Sequence, residues 1–326
     1  MATVNREQVS RVAAYLKANP PEGSGLNFYS VQTPKGELVL DRMYPPVNHP
    51  HAVDFFFLAC LHQYGFWWGD SRGYREPMYG NLGEKRLKGS DLLWGLFLRA
   101  LDSEELWDPK YLADITPRQL ADVMSDDEAT PWPNFEERVH LTQRYGRWLA
   151  SRNLNPLNIV AQANSTNSPL RGFRLIMDMD RGLNPWADDR LEKKQLLLAM
   201  ALANRPERFL KVAPGEEWPP IVDYHLMRVC LRLGFVDIGS ANIARNTERL
   251  WASAEEEQAI RVGTRDAVEQ LIRESGLTMA QVDETLWMAR KYCPETESPD
   301  CDKCLFGSVC PRWTGLFQPV IRTTAY

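Results

Sequence analysis

Residues 218–228 read Trp218-Pro219-Pro220-Ile221-Val222-Asp223-Tyr224-His225-Leu226-Met227-Arg228. Two consecutive prolines hold the approach extended, so helix begins only after Asp223. An Asp at a helix start accepts backbone N–H groups that have no intrahelical partner. Capping alone accounts for such a residue. Its neighbours decide whether it does more.

Downstream lies the second informative stretch, Cys293-x7-Cys301-x2-Cys304-x5-Cys310, which holds four of the six cysteines. Pro294, Pro299 and Gly307 fall inside it, so it is not helical throughout. Four thiolates on one compact loop close around a single soft metal centre. A mononuclear zinc site shows two Cys-x2-Cys pairs. One pair with two wider gaps suits the larger cubane of a 4Fe–4S cluster, with zinc as the alternative. Without a metal, the four would form two disulfides or remain free thiols, and a cytosolic chain disfavours disulfides. No flavin or nicotinamide fingerprint is present, so the centre reads as a structural staple of the C-terminus. Cys60 and Cys230 stand alone in apolar stretches and read as small buried hydrophobes.

The whole chain has 326 residues, 44% of them hydrophobic and 25% charged. That composition is globular and excludes collagen-like, disordered and coiled-coil chains. The net charge of −5, with Lys and Arg spread evenly, argues against a stable nucleic-acid or membrane-surface partner. A small anionic ligand needs only a few local positive charges. No apolar run approaches the ~18 residues of a membrane helix. The polar start, Met1 to Gln8, is unlike a signal peptide, and the expected location is cytoplasmic.

The periodicity is helical almost throughout. Asn5 opens a first helix with the stripe Val9, Val12, Ala13 and Leu16. Residues 26–43, around Thr33-Pro34-Lys35-Gly36, predict a small β-hairpin, the only convincing strand pair in the sequence. Residues 51–64 are apolar nearly all round and predict a central helix. Helices are expected at 91–101, from Thr116-Pro117 to about Met124, and from an Asn134 cap to about Ser151. Others follow near 156–163, 169–178, 191–203, 225–233 and 254–275, then from Thr278 to about Arg290. The expected fold class is all-α with one small hairpin, organised as a single domain over 1–326 that carries a four-cysteine metal loop at 293–310.

Val-Asp-x-His-x-x-Arg followed by a four-cysteine loop resembles the helix-hairpin-helix DNA glycosylases of the endonuclease III type. In that superfamily the Asp stabilises the sugar cation formed as the base leaves. Their cluster spacing is Cys-x6-Cys-x2-Cys-x5-Cys, and this chain has one more residue in the first gap. The hairpin motif Leu-Pro-Gly-Val-Gly is absent, with only Val212-Ala213-Pro214-Gly215 near it.

A closer resemblance is to the queuosine salvage proteins, which share that fold and act as queuosine 5′-phosphate N-glycosylase/hydrolases. Within the chain it rests on Tyr64-Gly65-Phe66-Trp67, Arg99-Ala100-Leu101-Asp102 and Phe135-Glu136-Glu137-Arg138. It continues through Lys193-Lys194-Gln195-Leu196-Leu197, Val222-Asp223-Tyr224, Ile260-Arg261, Asp283 with Leu286-Trp287, and Ile321-Arg322-Thr323-Thr324-Ala325-Tyr326. Glu192 stands where the eukaryotic pattern has a Lys, so either Lys193 or Lys194 inherits that role.

The resemblance implies release of queuine from queuosine 5′-phosphate, for salvage into tRNA modification. Asp223 would be the catalytic carboxylate, stabilising a ribosyl cation and positioning water. Phe66 and Trp67 would line the flat base, with core packing as the competing reading. Glu136 and Asp283 would meet the ammonium and diol of the queuine side chain, with a solvated helix face as the competing reading for Glu136. Lys193, Lys194, His225 and Arg322 would meet the 5′-phosphate, and Tyr224 follows from the Asp motif. The expected metal ligands are Cys293, Cys301, Cys304 and Cys310. The alternative functions are an iron–sulfur DNA glycosylase acting on a damaged base and a non-catalytic module that binds modified nucleotides.

Overall fold

In the computed structural model, residues 2–21, 28, 29, 31, 32, 38, 39 and 43–326 are described. The chain opens with β1 (Thr3–Val4) and α1 (Arg6–Ala18), then β2 (Val31–Gln32), β3 (Leu38–Val39) and α2 (Ala52–Leu61). Four short strands follow: β4 (Trp67–Gly69), β5 (Tyr74–Pro77), β6 (Tyr79–Leu82) and β7 (Lys85–Lys88). Next come α3 (Gly89–Arg99), α4 (Pro109–Ala113), α5 (Pro117–Met124), α6 (Phe135–Arg152), α7 (Pro156–Asn164), α8 (Pro169–Met177) and α9 (Lys193–Asn204). The last elements are α10 (Tyr224–Arg232), β8 (Val236–Asp237), α11 (Ser240–Thr247), α12 (Ala254–Ser275) and α13 (Met279–Met288).

Helix therefore dominates, as the periodicity requires. The strands form two-stranded sheets, β1–β8, β2–β3, β4–β5 and β6–β7. The predicted hairpin is represented by Val31 opposite Val39 and Gln32 opposite Leu38, antiparallel. Its Thr33–Gly36 turn lies outside the described residues. The hairpin is not the only strand pair. Strands of four residues or fewer are too short to show alternation, so β4–β7 left no readable period.

Contacts gather the chain into two compact units, each built from separate segments. The first holds Met1–Leu26, Trp68–Glu76 and Trp218–Arg322. In it α1 packs along α12, and α10 packs on α12 and α13. The predicted stripe Val9, Val12, Ala13 and Leu16 is buried in that contact. Ser253 and Glu256 form a reciprocal capping box that starts α12, and Gly276 ends it in the left-handed region at φ 75°.

The second unit holds Asn27–Trp67, Pro77–Glu217 and Thr323–Tyr326. Every residue of α2 except Asp54 is buried, and α2 packs on α3, α7 and α9, which makes it the central helix of this unit. Thr116 and Gln119 cap α5 reciprocally, with Pro117 at the first turn. The helix expected after Asn134 is α6, but the cap differs. Asn134 sits at φ 54° and its side chain makes no capping bond. The left-handed conformation, which Asn tolerates, sets the entry instead.

Cys60 and Cys230 are buried, as expected, and burial pushes both thiols up. No helix among the described residues is long and apolar enough to cross a membrane.

The tightest helix contact in the second unit is between α6 and α4. A Cβ on Gly146 would run into the backbone of Pro109, Leu112 and Ala113. Gly146→Ala should therefore cost about 1–3 kcal/mol, read as a lowered urea midpoint, although Ala is the better helix former.

Candidate active site

Asp223 sits in extended backbone at the start of α10, with φ −110° and ψ −178°, as the Pro219-Pro220 approach predicts. Its Oδ1 accepts the Leu226 N–H at 2.8 Å. Its Oδ2 accepts no hydrogen bond from the described residues, and the side chain is half-buried. The residue before it is also held. Buried Arg261 of α12 donates from Nε and Nη2 to the Val222 carbonyl, both at 3.3 Å. One carboxylate oxygen is thus fixed and the other is open.

The next turn of α10 carries a buried polar network. Arg228 is fully buried, and its Nη1 donates to Glu295 Oε1 and to Gln318 Oε1, each at 3.0 Å. Its Nη2 lies 3.0 Å from Nδ1 of His225, and Glu295 Oε1 lies 3.1 Å from the same ring nitrogen. Nδ1 either accepts from the guanidinium or donates to the carboxylate, according to the tautomer of the ring. Burial is the main reason that the imidazole is pushed down to about 3, with the charge of Glu295 opposing it. His225 is therefore neutral at ordinary pH, and not a phosphate-binding cation. The half-buried Tyr224 ring lies tilted against it, with ring centroids 4.2 Å apart.

At its other end α10 meets the cysteine loop. Nη1 of Arg232 stands 3.2 Å from Cys293 Sγ and donates to the Pro294 carbonyl at 2.8 Å. The Arg312 N–H donates to Cys310 Sγ at 3.3 Å. All four thiols of the loop are free and half-buried. Burial pushes Cys304 and Cys310 up, and the charges of the neighbouring loop thiols push the same way. Gly307 allows the turn, since a Cβ there would strike the Cys301 carbonyl. Among the described residues no three His, Cys, Asp or Glu side chains stand as a metal-ion site.

The other expected residues of the first unit are less buried. Asp283 is half-buried on α13. Arg322 is exposed, with its guanidinium 5.3 Å from the Trp251 ring.

In the second unit, Phe66 and Trp67 are both buried. The Phe66 ring meets Trp132 edge-on at 6.3 Å and the Arg138 guanidinium at 5.6 Å. It packs as core, which is the competing reading. Glu136 is exposed in the first turn of α6. Arg138, from the same motif, is fully buried and donates to the carbonyls of His62 at 2.9 Å and Tyr64 at 2.6 Å. Lys193 and Lys194 are both buried in the first turn of α9. Lys193 Nζ donates to the Gln63 carbonyl at 2.8 Å. Among the described residues Lys194 Nζ has no hydrogen-bond partner, and it stands 5.4 Å from the Tyr64 ring. Burial is the main cause that brings it down to about 7, with Asp189 and Asp188 opposing.

Sequence reasoning missed Glu295 and Gln318. Both lie in segments without periodicity, and only their contact with Arg228 distinguishes them.

A helix-dominated chain with a half-open carboxylate at a helix start and a thiol-rich loop is what the fold presents. Residues 43–177 match the sequence model of the queuosine salvage protein family. The match contains the Tyr64, Arg99 and Phe135 motifs, whereas α9, Asp223 and the cysteine loop lie beyond it. No curated protein matches the chain.

Lys194 has a measurable consequence. Its folded pKa lies below the ~10.4 of an unfolded lysine. Between about 7 and 10 the unfolded chain holds a proton that the folded one has lost, so this group makes stability rise with pH. Lys194→Met should remove that rise, up to ~1.4 kcal/mol per pH unit, in urea midpoints compared across the window.

Proposed function

We propose that the chain is an N-glycoside hydrolase that releases queuine from queuosine 5′-phosphate, for reuse in tRNA modification. The match of residues 43–177 to the queuosine salvage protein family model supports the substrate class. The observation that carries the chemistry is the Asp223 carboxylate, held through Oδ1 and with Oδ2 accepting no hydrogen bond from the described residues.

Cleaving the C–N glycosidic bond places positive charge on the ribose ring. A held, ionised carboxylate beneath the anomeric carbon stabilises that charge and orients water. The bond pair leaves with the base, which takes up a proton, and water adds to the anomeric carbon. The products are queuine and ribose 5-phosphate. A 7-deazaguanine has no ring nitrogen at position 7 to protonate, so this leaving-group activation is missing and more of the work falls on the carboxylate. With its proton on Nε2, the neutral His225 ring would donate a hydrogen bond to an oxygen of the sugar phosphate. Tyr224, Asp283 and Arg322, in the same unit as Asp223, remain proposed substrate contacts. The substrate is a small nucleotide, and the proposal calls for no stable nucleic-acid partner, no membrane and a cytoplasmic location.

For Cys293, Cys301, Cys304 and Cys310 we propose a structural 4Fe–4S cluster, with zinc as the alternative. Four free thiols on one irregular loop, with N–H donors reaching two of the sulfurs, support this reading, although they do not stand together as a metal-ion site without the metal. Bound there, it would tie the loop to α10 without taking part in bond cleavage. Freshly purified protein should be brown and contain iron and sulfide, and Cys301→Ser should lose both. Zinc without colour would select the alternative.

The test of the reaction is incubation with queuosine 5′-phosphate, followed by chromatography of the released base. Asn caps a helix as well as Asp does, so Asp223→Asn should fold normally. It should lower kcat by on the order of 10²–10³-fold, the usual scale for one electrostatic group in a transition state. No release by the wild type, or full activity in Asp223→Asn, would overturn the assignment.

A further inference from the structure

The cysteine loop touches α10 at two places. Beyond Cys293, which meets Arg232 at the C-terminal end, the loop turns back and sends Glu295 to the N-terminal half. The Glu295 side chain is only 2% exposed and that of Arg228 is 0%. A buried guanidinium keeps its proton, so it needs an anionic partner in the interior. Glu295 is that partner. Its Oε1 also stands 3.1 Å from Nδ1 of His225, two residues beyond Asp223. His225 and Asp223 flank Tyr224 at the start of α10, and the Leu226 N–H bound by Asp223 belongs to the same turn.

We propose that Glu295 is a positioning residue for Asp223, acting through Arg228 and His225 to hold the first turn of α10. The inference rests on Asp223 facing the reacting sugar, as argued above. Without the Glu295 charge, Arg228 keeps two neutral partners, Gln318 and His225, and the turn loses its anchor. A carboxylate that must sit beneath one carbon is sensitive to such loosening, because ~1 Å of misplacement is enough to cost on the order of 10²-fold.

The test is a double-mutant cycle on the full chain with queuosine 5′-phosphate, joined to amide hydrogen exchange over residues 223–232. Glu295→Gln should lower kcat about 10–100-fold, with KM within about twofold. In the Asp223→Asn background the same change should have almost no effect, because the group it positions is gone. Exchange at Leu226 should quicken, and the urea midpoint should fall because buried Arg228 loses its anionic partner. Glu295→Asp, which keeps the charge but is one methylene shorter, should show a smaller loss of the same pattern and serves if Glu295→Gln does not fold. Equal losses in both backgrounds would mark a purely structural residue and overturn the proposal, as would an unchanged kcat. If the wild type releases no base, the reaction assignment fails separately, and the exchange measurement alone decides. Unchanged exchange at Leu226 would then reject the role of Glu295.

Discussion

A guanidinium buried inside a helical unit imposes a constraint that much of this structure answers. Arg228 has no contact with water and does not give up its proton. The chain must therefore bring an acceptor-rich, anionic neighbour to it. That neighbour comes from 67 residues downstream, on a loop with no regular structure of its own. Once Glu295 is committed to Arg228, the loop's path over α10 is set, and Cys293 is brought to Arg232 at the other end of the same helix. The start of the helix that carries Asp223 and the end that meets the thiols are thus parts of one arrangement.

The second unit uses the same device with carbonyls in place of a carboxylate. Arg138 gathers the His62 and Tyr64 carbonyls with that of Pro133, and three aromatic rings cover its faces. Arg205 gathers the carbonyls of Phe28, Pro45 and Pro46, and pairs with Glu207. In each case a loop that cannot satisfy its own backbone is closed by five donors of fixed geometry. Lys194 is the exception. Its ammonium is as deeply buried but has no hydrogen-bond partner among the described residues, and it answers by giving up its charge more readily.

How much was legible divides by the range of the interactions. The Asp223 cap, the capping box at Thr116 and the α1 stripe were readable because each depends on residues within one or two turns. The aromatic run at Phe66 was ambiguous. Its composition is the same whether the rings line a pocket or fill a core, and only Trp132 and Arg138 placed Phe66 in the core. His225 reads in the sequence as a charge for a phosphate, and burial makes it neutral instead.

The amino-acid sequence by itself determined that the chain is helical, where most helices begin and end, and which carboxylate and thiols stand out. Those properties follow from local backbone sterics, capping and the 3.6-residue period, which act between near neighbours. The protonation of His225, the burial of Lys194 and the service of Glu295 to α10 were decided only by the tertiary structure. Each depends on dielectric surroundings and on partners far away in the chain, and these come into being only when the chain is folded.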